Sequence, residues 1–353
     1  MTTKLIVIFD ATKTGNRESG LGNFCYNLGK EISLIKPERF EIQFLVHKEQ
    51  INLFGPEHKY IMLNATHKFP VNNFKNTSLL HACWQLSSLQ SSNKKLKWLY
   101  TVHDLNFLFK YKSFKKTYYT SRFLSNIKRA DKVVCISQAT NVLFADLTGD
   151  NYRADIIYNG NSLSNILHTQ KPAIDLPQRY LFFIGIISPK KNIESIFELL
   201  QQIPELNLVL AGEAQTIYKQ QLQQKATQLN IVNSIIFTGK VSEEEKLYLY
   251  KNCEAYINPS IAEGFGIPVV EAMSMGKPLV LNNIPAFMEI AGDLALYITP
   301  ENKTDFRNSY DHYLQKFNDS EIEDEIKCAS QKFSWKQAAE SYVKLYEDIL
   351  FGD

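Results

Sequence analysis

Two glutamates eight positions apart, Glu263 and Glu271, stand in a segment running from Pro259-Ser260 to Lys277-Pro278. Glu263 precedes an apolar run and Glu271 lies inside it. A helix rising ~1.5 Å per residue would therefore keep the two acids within roughly 12 Å along its axis. That separation suits one carboxylate on a sugar and the other on a ribose, because carboxylates accept hydroxyl hydrogen bonds with good directionality. Gly264 and Gly266, lacking side chains, let the intervening amides turn toward a hexose and its phosphate. The plainer alternative is a pair of surface glutamates around a turn, and the flanking context favours it less.

Three other groups invite a chemical reading. Gly185 is followed by Ser188-Pro189-Lys190-Lys191-Asn192 and then by apolar residues at helical spacing, Ile193, Ile196, Phe197 and Leu200. A lysine pair at such a helix start would neutralise a diphosphate and the charge that grows on it as a glycosyl bond breaks. Gly20-Leu21-Gly22 opens a second helical run, where unpaired amides favour an anion; a plain turn is an equal reading. His103-Asp104 ends an apolar strand, with ligand contact and turn capping as its two readings.

These groups need elements to hold them. Short apolar runs rich in β-branched residues recur at 5–9, 42–46, 60–63, 79–82, 98–102, 133–136 and 156–158, then at 180–184, 208–211, 235–238, 255–258, 278–281 and 294–298. Segments of helical period separate them, which predicts two doubly wound parallel sheets. Turn formers between Asn159 and Pro177 mark a linker, giving domains at 1–165 and 166–334. Residues 335–353 read as an amphipathic helix packing back toward the first domain. Ligands of such sheets sit beyond the carboxyl ends of the strands, so two such edges would face a central cleft.

Charge divides with the halves. Residues 1–170 hold 22 Lys and Arg against 12 Asp and Glu, leaving 17 against 25 for the rest. The basic half suits an anionic acceptor or lipid surface, or else simply carries solvated lysines. Within it Phe107, Phe109, Tyr111, Phe114, Tyr118, Tyr119 and Phe123 interleave with Lys110, Lys112, Lys115, Lys116 and Arg122. Residues 107–129 are thus a candidate contact with an anionic membrane, against the alternative of a helix whose aromatics face the core. No motif for nucleic acid accompanies the charge. The five cysteines lack zinc-ligand spacing and read as buried thiols in a reducing compartment. The opening apolar run is too short for a signal peptide or span, so the protein is expected to be cytoplasmic, soluble or peripheral at the inner membrane face.

The Glu-x7-Glu segment in its Pro-Ser and Glu-Gly-Phe-Gly context resembles the retaining glycosyltransferases of family 4, of GT-B fold. Gly20-Leu21-Gly22, His103-Asp104, Val133 to Ser137, Tyr158-Asn159-Gly160, Phe237-Thr238-Gly239 and Asn283-Ile284-Pro285 to Gly292 extend the resemblance along nearly the whole chain. It implies that Glu263 and the amides of Gly264, Phe265, Gly266 and Ile267 hold the donor hexose and phosphates. Glu271 would hold the ribose, Lys191 the pyrophosphate, and His103 would approach the transferred sugar. Gly185 and the Thr238-Gly239 turn would border the donor, the latter against its base, and Gly20 to Gly22 the acceptor and diphosphate. Many members carry an arginine where this chain has Ile186; Lys190 is the substitute at hand.

The expected function is therefore transfer of a hexose, with retention, from a nucleotide-diphosphate sugar to a glycan acceptor, in surface polysaccharide or lipopolysaccharide biosynthesis. A lipid-linked acceptor is the first reading and a soluble sugar phosphate the second. A sugar-nucleotide binding protein without turnover is a third. No cofactor is expected; without an Asp-x-Asp motif, no metal is expected either. Gly20-Leu21-Gly22 lacks the third glycine of a dinucleotide fold, which disfavours a nicotinamide enzyme.

Overall fold

The computed structural model describes residues 4–149, 151–163, 166, 168–299, 303–318 and 320–352. The chain divides into two units, residues 4–160 with 334–352, and residues 161–333. The boundary expected at residue 165 falls on a position outside the described residues.

In the first unit seven strands form one parallel sheet: β1 (Leu5–Asp10), β2 (Phe40–Val46), β3 (Lys59–Met62), β4 (Leu79–Ala82), β5 (Lys97–Val102), β6 (Lys132–Cys135) and β7 (Asp155–Ile156). Their order is β3-β2-β1-β4-β5-β6-β7, so the chain winds outward from β1 and then restarts at β4 on its other side. The central runs form strands because they are covered on both faces; every residue of β4 is buried. The helices are α1 (Gly20–Leu34), α2 (Phe107–Lys110), α3 (Ser113–Lys128) and α4 (Gln138–Thr148), with α12 (Trp335–Phe351) returning from the chain's end. Helix α1 turns Phe24, Cys25, Leu28 and Ile32 inward, positions spaced one and two turns apart, and Ser19 caps it by accepting from the Gly22 amide at 3.0 Å.

The second unit repeats the plan with β8 (Tyr180–Ile184), β9 (Asn207–Ala211), β10 (Ile235–Gly239), β11 (Ala255–Asn258), β12 (Leu279–Asn282) and β13 (Leu296–Ile298), in the order β10-β9-β8-β11-β12-β13. Its helices are α5 (Phe197–Gln202), α6 (Thr216–Gln228), α7 (Glu243–Asn252), α8 (Ile267–Ser274), α9 (Pro285–Ala291), α10 (Phe306–Phe317) and α11 (Ser320–Ser330). Leu181, Phe183, Leu208 and Leu210 from the sheet meet Phe197, Leu200 and Phe306 from the helices in one buried core.

All thirteen expected strands are present, and both sheets are doubly wound and parallel. Two local expectations change. The helix read from Ile193 begins as 3-10 turns at Pro189–Lys191 and Ile193–Ile196, joined at left-handed Asn192, and becomes α-helical only at Phe197. β7 is a two-residue exposed edge strand, shifted one residue toward the amino terminus. Cys25, Cys83, Cys135 and Cys253 are buried free thiols and Cys328 is exposed. Among the described residues no helix is long and apolar enough to cross a membrane.

Candidate functional site

In the second unit the strand order reverses between β8 and β11, the place where open α/β sheets leave a crevice at their carboxyl ends. The loops after these two strands, 185–192 and 259–266, meet there. The Ile261 amide donates to the Lys190 carbonyl at 3.1 Å, and Lys190 Nζ lies 3.3 Å from Glu263 Oε2. Lys191 Nζ is 2.5 Å from Glu263 Oε1. Three of the predicted site residues thus form one ion cluster. Burial acts to raise the Glu263 carboxyl, but the Lys191 and Lys190 ammoniums outweigh it and hold it down at about 2. The lysines reach the site from a 3-10 turn, so the helix-start argument made for them does not hold.

Gly185, at φ +144°, turns the chain out of β8. Behind it stands Gly212, which the sequence reading missed: a Cβ there would lie 2.3 Å from the Gly185 carbonyl oxygen. The Gly212 amide in turn donates to the Gly239 carbonyl at 2.7 Å, linking the predicted Thr238-Gly239 turn to the Gly185 loop through backbone. The only sequence signal for Gly212 was its place just after an apolar strand.

Beyond Glu263, Phe265 is buried against the Phe333 ring, edge to face at 5.4 Å. Gly266 at φ +124° opens α8, and Ile267 and Pro268 form the first turn. Glu271, in the middle of α8, is 2% exposed. Its Oε1 lies 3.0 Å from Lys246 Nζ, and the Tyr250 hydroxyl donates to its Oε2 at 2.9 Å. Sequence reasoning missed both partners. Their signal was periodicity, since Lys246 and Tyr250 are one turn apart on the face of α7 that also buries Leu247 and Leu249. Lys246 is held above the usual ammonium range: burial pulls it down, but Glu271 and Glu243 together outweigh that.

In the first unit His103 follows β5 and its Nε2 is 2.9 Å from the Cys83 carbonyl. A carbonyl only accepts, so Nε2 carries the proton and Nδ1 is the free acceptor nitrogen of the ring. Burial pushes His103 down to about 4, leaving it neutral at pH 7, and its ring stands edge-on to Phe24 at 4.4 Å. Asp104 caps the following turn through the Asn106 amide at 3.0 Å. Gly20 and Leu21 begin α1, and Gly22 stands close against the loop before it. A Cβ on it would sit 1.8 Å from the Asn16 carbonyl oxygen, so its missing side chain admits the chain's own loop, and its amide is taken by Ser19. Among the described residues no group of three or more His, Cys, Asp or Glu could hold a metal ion.

Residues 165–326 match the family model for glycosyl transferases group 1. The O-antigen chain mannosyltransferase RfbU of Salmonella typhimurium is 28% identical over 211 residues, 59% of this chain and 58% of that protein. The Escherichia coli O-antigen chain mannosyltransferase B is 30% identical over 221 residues, 56% of each. The matched stretches thus span a little over half the length of these curated relatives. Among solved structures, sucrose-phosphate synthase from Thermosynechococcus elongatus aligns over 99% of this chain and 100% of its own, with a TM-score of 0.77 at 16% identity. Both units therefore have the GT-B architecture, and the second carries the sequence pattern of glycosyl transferases group 1.

Proposed function

We propose that this chain is a glycosyltransferase of the retaining family 4 type, moving a hexose from a nucleotide-diphosphate sugar to a glycan acceptor in surface polysaccharide or lipopolysaccharide biosynthesis. The observation that carries the reading is the cluster of Lys190, Lys191 and Glu263 at the β8/β11 switch point. The diphosphate of the donor would draw the two ammoniums from Glu263, freeing that carboxylate to accept hydroxyls of the hexose. As the glycosyl bond breaks, the growing phosphate charge is met by those lysines and by the opening amides of α8, which makes a metal unnecessary. The acceptor hydroxyl attacks the anomeric carbon and its proton passes to the departing diphosphate. Relatives named as mannosyltransferases make mannose the first hexose to try.

The acceptor is read as lipid-linked, at the cytoplasmic face of a membrane, because α2 and α3 leave Phe109, Phe114 and Tyr118 exposed beside lysines. The test of the activity is a thermal-shift screen against UDP-, GDP-, dTDP- and ADP-sugars with chelator present. A ligand bound only by the folded state raises the midpoint by mass action. One nucleotide should respond, and Lys191→Met should abolish its effect. No response to any of the four would remove the transferase reading, and a response that needs added divalent ion would remove the metal-free one.

A further inference from the structure

Lys246 is a charged residue on the buried face of a helix, where an apolar one would pack as well. Its side chain is 7% exposed and that of Glu271 3%. Burying an ion pair carries a large desolvation cost and is often no better for stability than an apolar pair of similar volume. The pair is nevertheless tightly built. Ser242 and Glu245 cap α7 reciprocally, fixing where the helix begins. One turn in, Lys246 Nζ sits 3.0 Å from Glu271 Oε1 and 2.8 Å from Oε2 of the more exposed Glu243. One turn further, Tyr250 takes the other Glu271 oxygen, with the Pro268 carbonyl 3.1 Å from the same hydroxyl. Among the described residues each oxygen of Glu271 therefore has one donor, from α7, and keeps one lone-pair direction unused.

We propose that Lys246 is a positioning residue that, with Tyr250, fixes the Glu271 carboxylate so that its two remaining lone pairs receive the vicinal hydroxyls of a ribose, making the site selective for ribonucleotide over 2'-deoxyribonucleotide donors. This rests on the reading of Glu271 as the ribose acceptor. Burial pushes the Glu271 carboxyl up and Lys246 opposes that rise; with the carboxylate held in one rotamer by Lys246, Tyr250 sets its plane. Neither touches the donor.

Binding of UDP and GDP, each against its 2'-deoxy analogue, measured by calorimetry, tests it. The wild-type protein should prefer the ribonucleotide by about tenfold, the size of one hydrogen bond to a charged group. Lys246→Met and Tyr250→Phe should bring the ratio toward one, weakening the ribonucleotide while leaving the 2'-deoxy analogue within about twofold. Lys246→Arg should retain most of the preference. If Lys246→Met does not fold, Tyr250→Phe, which removes one hydroxyl and keeps the packing, decides the ratio. A preference that survives in the folded variants makes the α7 contacts purely structural and overturns the inference, leaving the proposed function intact. So does a wild-type protein that binds both sugars of the nucleotide equally. Failure of the wild-type protein to bind any nucleotide overturns both.

Discussion

A carboxylate between two ammonium groups carries a pH signature that neither residue type has alone. Glu263 falls from an ordinary 4.5 to about 2 in the folded chain, its side chain being only 15% exposed. Between those values the unfolded chain binds a proton that the folded chain does not, so stability rises with pH through that window. It is fully present above 4.5 and lost as pH falls through 2. The difference corresponds to about 3 kcal/mol at pH 7. Glu263→Gln, equivalent in shape to the protonated acid, should lower stability to urea by about that amount at pH 7 and by less than half of it at pH 3. An equal loss at both pH values would show that the two lysines do not hold the carboxylate. That Glu263 and Lys191 border one donor was implied by the family resemblance, whereas their direct ion pair was not legible, because they lie 72 positions apart in the chain. Nor was it legible that Gly22 stands close against its own loop, because a glycine's neighbours across a turn leave no trace in its immediate sequence.

Helices differ in how much of their role their own residues disclose. Residues 107–129, spanning α2 and α3, contain seven Lys and Arg and no Asp or Glu. The structure describes all of them except the side chain of Lys110. Phe123, Asn126 and Ile127 turn inward from α3, while Phe114, 82% exposed, and Tyr118 lie one turn apart on its outer side. Tyr111 and Tyr119 stack at 4.7 Å, and with Phe114, Lys115 and Tyr118 they line a shallow groove of about 320 Å³. For the proposed membrane contact, each lysine near an anionic surface contributes about 1 kcal/mol. Lys115→Glu with Lys116→Glu should therefore lower the fraction sedimenting with phosphatidylglycerol vesicles at least tenfold, with little bound to phosphatidylcholine vesicles by either protein. Equal binding by both proteins would put the contact elsewhere. The strands were legible because a strand covered on both faces must be apolar throughout. The buried face of α7 was not, since Lys246 reads as a surface residue until Glu271 is placed opposite it.

At the scale of the whole chain, the first unit is completed by its last helix. Helix α12 buries Trp335, Ala338, Tyr342 and Tyr346, one turn or so apart, against the elements of that unit. Where residue 160 passes it, only glycine fits, because a Cβ would lie 2.1 Å from the Trp335 nitrogen. The amphipathic pattern announces that one face of this helix is covered, and its polar inner residues show how the match is made specific. Tyr346 OH is 2.7 Å from His81 Nδ1 on β4, His81 Nε2 is 2.8 Å from Thr101 Oγ1 on β5, and Thr101 Oγ1 is 2.9 Å from Tyr342 OH. These four groups form a buried chain in which donors and acceptors alternate in either direction. Burial pushes His81 down to about 3, so the imidazole is neutral and needs one partner for its proton and one for its lone pair. Tyr346→Phe keeps the ring but leaves Nδ1 with neither water nor hydroxyl, at a cost of about 1–3 kcal/mol. Hydrogen exchange under native conditions should then show faster opening of the amides of β4 and β5, by roughly 5- to 150-fold, while those of β8 and β9 serve as the internal reference. Unchanged protection in β4 and β5 would mean that α12 is held by its apolar contacts alone.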